Sequence, residues 1–128
     1  MDQEKNNCLF CNISKGKIVT ENEFAYAIRD KFPVSEQHSL IIPKRHVDEY
    51  FNLTHDELIG CNLLLRSVRE EILTIDDSVK GFNIGMNCGA VAGQTIFHCH
   101  IHLIPRRQGD VENPRGGVRH IIQGKGNY

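Results

Sequence analysis

The sequence predicts an α+β domain built on a mostly antiparallel sheet. Three features point there: one capped stretch of helical period, several short runs of strand character, and few of the strand-helix-strand alternations that accompany parallel crossovers. At 128 residues the length suits one domain around one core. With 40% apolar and 24% charged residues, the composition is that of a globular chain rather than a disordered one.

The elements follow in order. Residues 24–29 (FAYAIR) alternate large and small side chains, and Ser39 to Ile42 form a short apolar run stopped by Pro43. Thr54 with Glu57 three residues on is a capping-box signature. Leu58, Cys61, Leu65, Val68 and Ile72 then recur at spacings of 3 and 4, predicting a helix of about 20 residues that ends near Leu73 to Ile75. Residues 81–87 (GFNIGMN) place Phe82, Ile84 and Met86 on one face and Asn83, Gly85 and Asn87 on the other. His98 to Ile104 (HCHIHLI) is the last predicted strand. From Val111 the chain turns polar and glycine-rich, predicting a domain over 1–110 and a C-terminal arm over 111–128.

Fifteen Lys and Arg against sixteen Asp and Glu give a net charge of −1, which leaves no basic excess for a nucleic-acid duplex. The start MDQEKNN lacks the character of a signal peptide, and no apolar run reaches membrane-spanning length. The expectation is a soluble, cytoplasmic protein with no membrane role. Its five cysteines are then reduced thiols, and the closely spaced pair Cys8 and Cys11 is half of a tetrahedral zinc site, an incidental pair or a redox pair.

The seven histidines are not scattered. In an extended chain His98, His100 and His102 share one face, while Cys99, Ile101 and Leu103 share the other and form core. Three aligned imidazoles admit three readings: a solvated strand face, a metal site, or covalent catalysis in which one imidazole attacks phosphorus. The outer two positions lie about 13 Å apart along a strand, too far for all three to meet one ion, although two of them can. Immediately upstream, Asn87, Gly89, Gly93, Gln94 and Thr95 form a loop of backbone and side-chain donors suited to phosphate oxygens.

The segment AGQTIFHCHIHLIPR, residues 92–106, resembles the signature of the histidine triad (HIT) family of nucleotide-binding proteins: three histidines alternating with apolar residues. Similarity extends to FAYAIRD and to HSLIIPKRH at 38–46, covering most of the chain from Cys8 to Arg106. The Ala92–Thr95 lead-in and Pro105-Arg106 resemble the dinucleoside polyphosphate hydrolase branch, whereas Asn87 is also typical of the nucleoside phosphoramidase branch.

The resemblance implies a HIT-like fold: a five-stranded antiparallel sheet with one long helix and short helices, usually in a homodimer joined edge to edge. It implies His100 as the nucleophile forming a nucleotidyl-histidine, with His102, Gln94, Asn87, Gly93 and Thr95 around the α-phosphate and Asp30 on the ribose hydroxyls. Some relatives complete a structural zinc site from the Cys pair with residues that are here His46 and His98. The implied substrates are dinucleoside polyphosphates of the diadenosine tetraphosphate kind, with Mg²⁺ as a possible companion of the polyphosphate. Two alternatives stay open: a purine nucleoside phosphoramidase, and a zinc-stabilised nucleotide-binding adaptor with weak activity. Arg115 and Arg119 in the arm are candidates for polyphosphate oxygens or for solvated positions. His38 has the chemistry to compete with His46, but a loop or core hydrogen bond is its expected part. His55, His120, Cys61 and Cys88 carry no assigned role.

Overall fold

The computed structural model describes residues 7–128; the polar start at residues 1–6 lies outside it. Five strands form one antiparallel sheet: β1 (Ile18–Glu21), β2 (Ala25–Arg29), β3 (Ser39–Pro43), β4 (Val79–Gly85) and β5 (Ile101–Arg107). Their order across the sheet is β1-β2-β3-β5-β4. One long helix, α1 (His55–Ile75), crosses one face. Among the described residues no helix is long and apolar enough to cross a membrane.

The expected capping box closes the start of α1. Thr54 Oγ1 accepts from the Glu57 backbone N–H, and Glu57 Oε1 accepts from the Thr54 N–H at 2.8 Å. Cys61, Leu64, Val68 and Ile72 pack on Ala25, Ala27, Ile41, Ile101 and Leu103. Leu64 rather than the expected Leu65 is the buried member of the stripe, with Leu65 half-buried beside it. Gly60 permits a close approach to the sheet, since a Cβ there would sit 2.8 Å from Phe24 Cβ.

Two strands start elsewhere than the alternation predicts. β4 runs over Val79–Gly85 rather than 81–87, because its pairing with β5 reaches back to Val79 opposite Arg107 and Met86 onward belongs to a loop. β5 begins at Ile101 rather than His98. Competing bonds pull residues 98–100 off the ladder: the Cys99 N–H goes to Val47 O at 2.7 Å, and the Cys99 thiol packs with Val47 and Leu53. The face opposite the helix carries a single rung across five strands, Ile18-Ile28-Leu40-His102-Gly85. That rung sets the floor of the site.

Candidate active site

The turn into β5 hands each histidine of the triad a different partner, so they do not form the expected common face. His98 is fully buried, and its Nε2–H donates to Pro43 O at 2.8 Å. His100 donates its Nδ1–H to His98 O at 2.8 Å. A carbonyl only accepts, so in the neutral His100 ring Nε2 carries the free lone pair. His102, on the floor rung, stands beside His100 with ring centroids 5.3 Å apart.

His38, expected to make a loop or core hydrogen bond, is buried and also supplies the partner of His102. The Val34 backbone N–H donates to His38 Nδ1 at 3.1 Å, which places the proton of a neutral His38 on Nε2. That nitrogen lies 2.9 Å from His102 Nδ1 and 3.4 Å from Asp30 Oδ2. With His102 Nδ1 accepting, its proton sits on Nε2. Burial holds His38 below the usual histidine range, against an opposing pull from Asp30. Burial likewise pushes His102 down to about 4, reinforced by His100 and His38 and opposed by Asp30. Both rings are therefore neutral at pH 7. Beneath them, Arg107 donates to Gln37 Oε1 at 2.6 Å and to Asp76 Oδ2 at 2.9 Å, bracing the turn that presents His38.

A cavity of about 410 Å³ opens over this floor. His100, His102, Asn87, Gly93 and Thr95 line it together with the apolar Phe10, Ile13, Ile28 and Leu40, and Asp30 also lines it. Asp30 Oδ1 is occupied by the Phe32 N–H at 2.8 Å. Gly93, at φ +95°, lets the loop turn back with Asn87 close by, a conformation strained for any side chain. Gln94 is the predicted site residue that does not reach the cavity lining. It is buried, with Oε1 accepting from the Gly89 N–H at 2.8 Å and Nε2 donating to Asp48 O at 2.6 Å and Ile96 O at 3.1 Å. Its amide shapes the loop.

Behind the triad, Cys8, Cys11, His46 and His98 converge with ligand atoms all within 4.8 Å of one another. Cys8 Sγ lies 3.3 Å and Cys11 Sγ 3.5 Å from His98 Nδ1, and Cys11 Sγ lies 3.2 Å from His46 Nδ1. Zinc–sulfur and zinc–nitrogen bond lengths place tetrahedral ligands about 3.3 to 3.8 Å apart, so the donor set fits zinc. His98 already anchors its other nitrogen on a carbonyl, the usual support for a ligating imidazole. The second convergence, Asp30 with His38 and His102, offers a single carboxylate and two imidazoles, a poor set for Mg²⁺.

Several other positions play parts away from the site. Arg115 and Arg119 both stack over the Tyr128 ring, at 4.7 and 4.6 Å. Burial pushes the Cys61 thiol up to about 11 and that of Cys99 to about 12, leaving both inert at neutral pH. His55 is exposed, and His120 Nε2 lies 2.9 Å from Arg115 O.

The HIT domain family model matches residues 13–109. An uncharacterised HIT-like protein of Mycoplasma genitalium is 39% identical over 80% of this chain and 77% of its own. An adenosine 5'-monophosphoramidase of Candida albicans is 33% identical over 79% of this chain and 71% of its own. An adenylylsulfatase of Arabidopsis thaliana is 36% identical over 83% of this chain, which spans 55% of that longer protein. Among solved structures, a Zn-bound histidine triad family protein from Mycobacterium smegmatis shares 31% identity at a TM-score of 0.75, over 83% of this chain and 79% of that one. Sequence signature, sheet topology and relatives agree that the chain belongs to the histidine triad family.

Proposed function

We propose that the protein is a nucleotide hydrolase that cleaves at an α-phosphate through a nucleotidyl-histidine on His100. One observation carries this reading: the His98 carbonyl fixes the Nδ1–H of His100, leaving an Nε2 lone pair among the lining of a cavity that holds both polar donors and apolar side chains. Nε2 attacks the α-phosphorus and forms a P–N bond as the bond to the leaving group breaks. The leaving atom keeps that electron pair, is hydrogen-bonded by the His102 Nε2–H and takes its proton from solvent water. Water then attacks phosphorus as the P–N bond breaks, the electron pair returns to His100 Nε2, the surplus proton passes to solvent and the nucleoside monophosphate is released.

Asp30 would accept from the ribose hydroxyls, and the wall of Phe10, Ile13, Ile28 and Leu40 would take a purine. Asn87, Gly93 and Thr95 would hold the phosphate oxygens, with Gln94 stabilising the loop that presents them.

Nucleoside phosphoramidates are the better-supported substrate class. The named relatives include a monophosphoramidase, and the arm arginines that a polyphosphate would recruit lie on Tyr128 instead. Dinucleoside polyphosphates remain the second class, favoured by the Gly93-containing lead-in and Pro105-Arg106. A zinc ion at Cys8, Cys11, His46 and His98 would be structural, since four protein ligands leave no open position. It would tie the N-terminal segment to the turn before β5. The test is incubation with adenosine 5'-phosphoramidate and with diadenosine tetraphosphate, quantifying AMP and ATP. AMP from the first, lost in His100→Ala, is the expected result; no product from either makes the protein a binding adaptor.

A further inference from the structure

The rung Ile18-Ile28-Leu40-His102 sets a direction across the site. Adjacent strands lie about 4.8 Å apart, so Ile18 on the edge strand β1 stands roughly 14 Å from His102. A nucleoside monophosphate with its phosphorus at His100 and His102 and its ribose at Asp30 would extend its base away from the histidines, over Ile28 and toward β1. Lys17 directly precedes Ile18 and lines the same cavity of about 410 Å³. The turn Lys15–Lys17 fixes its backbone, with the Lys17 N–H donating to Ser14 O at 3.0 Å.

Two other long cations line that cavity, and each is placed elsewhere. Arg29 donates to Ser39 Oγ at 2.9 Å and to the two oxygens of Glu71 at 2.7 and 2.9 Å. Lys31 directly follows Asp30, at the ribose end, and its ammonium lies over the Phe32 ring, 5.9 Å from the centroid. Lys17 is exposed and belongs to none of the ion pairs among the described residues; Glu21, the acid of β1, pairs with Lys44 at 2.8 Å instead.

Acceptors are scarce where the base would lie. Asp30 is the one acidic side chain among the described lining residues. Of the N-terminal carbonyls, Leu9 O accepts from the Asn12 N–H at 3.2 Å and Phe10 O accepts from the Tyr26 hydroxyl. Phe10, Ile13 and Ile28 present hydrocarbon. A base reaching Lys17 therefore meets a cation in apolar surroundings, and purines differ there at position 6. Guanine offers O6 beside N7, two acceptors that one ammonium can bridge; adenine offers N7 beside an amino group whose hydrogens face the charge.

We propose that Lys17 reads the far edge of the base and makes the protein select 6-oxopurine nucleotides, those of guanine and hypoxanthine, over adenine nucleotides. The proposal rests on the reading of this cavity as the nucleotide site and adds to it the base class and the residue that chooses it.

The test compares kcat/KM for guanosine, inosine and adenosine 5'-phosphoramidates, which share one leaving group and one bond to break, and in parallel the Kd of GMP, IMP and AMP by calorimetry. In the wild type the guanosine and inosine compounds should exceed the adenosine compound by about five- to twentyfold, the discrimination of a cation that reads two acceptors from an exposed position. Lys17→Met keeps the stem and removes the charge, and should bring the three compounds within about twofold of one another. Lys31→Met should leave the wild-type ratio in place. Each ratio is taken within one protein, so any loss of folded material cancels. An adenosine compound turned over as fast as the guanosine one, a ratio that survives Lys17→Met, or a ratio that collapses in Lys31→Met instead would overturn the proposal. So would inosine grouping with adenosine, which would make the 2-amino group the feature read. Absence of turnover with all three would sink the hydrolase reading alone; the Kd ratios of wild type and Lys17→Met then decide the base preference by themselves.

Discussion

His38 Nε2 lies 2.9 Å from His102 Nδ1, and the outer nitrogen of His38 accepts from the Val34 backbone N–H. A backbone amide can only donate, so the protons of both neutral rings are assigned from that one fixed end, and His102 lines the cavity as an Nε2–H donor. Removing His38 frees His102 to adopt the other tautomer. His38→Ala should therefore lower kcat by about 10- to 100-fold for amine leaving groups, which need a proton. A nitrophenolate leaving group needs none and should be affected much less. His38→Gln, whose amide can still donate to Nδ1, should recover most of the loss, and ¹⁵N NMR of the His102 ring should report the tautomer directly.

The same burial makes stability depend on pH. His102 titrates near 4 in the folded protein and His38 is also lowered, whereas unfolded histidine titrates near 6.5. Between about pH 4 and 6.5 the unfolded chain binds protons that the native one refuses, so this contribution is complete above about 6.5 and is lost as pH falls. For the partly exposed His102 ring the loss from pH 7 to pH 5 should be about 1–2 kcal/mol after allowing for solvent screening. Urea unfolding at the two pH values measures it. The difference should shrink in the His38→Gln, His102→Gln double variant.

Protein purified without chelator should carry close to one zinc per chain, read by elemental analysis. Cys11→Ser should remove most of it and cost about 2 kcal/mol or more of stability, because the metal would tie residues 8–11 to the turn before β5. Zinc-free wild-type protein of unchanged stability would contradict the structural role.

Glu57 serves the helix cap and an ion pair together. Its carboxylate accepts from Arg45 Nε at 2.8 Å and Arg45 Nη2 at 2.9 Å while bonded to the Thr54 N–H, and the Arg45 contact holds it down to about 2. Glu57→Ala should cost about 1–2 kcal/mol in urea unfolding, mostly from the cap, since Arg45 is half exposed.

The helix was legible because its signals are local: Thr54 and Glu57 cap it, and the stripe to Ile72 follows within five turns. Cys99, Ile101 and Leu103 were legible as core by alternation, but the start of β5 was not. The Cys99 N–H pairs with Val47, far away in sequence, and nothing local distinguishes that bond from a ladder bond. His38 was hidden for the same reason. Its role depends on the pairing of Leu40 with His102 across β3 and β5, a register that only the folded sheet defines. Gln94 carried the right chemistry for phosphate, yet its amide is spent on Gly89, Asp48 and Ile96. The convergence of Cys8 and Cys11 with His46 and His98 followed from the family resemblance rather than from spacing, since 35 to 90 residues separate the partners.

The central claim is that His100 becomes covalently nucleotidylated. Rapid mixing with a phosphoramidate, quenching within one turnover under conditions that preserve P–N bonds, and intact-mass analysis followed by peptide mapping test it most directly. A mass increase of one nucleotidyl group localised to His100 and absent from His100→Ala is the predicted result. Full turnover with no adduct at any quench time, or an adduct that persists in His100→Ala, would contradict it.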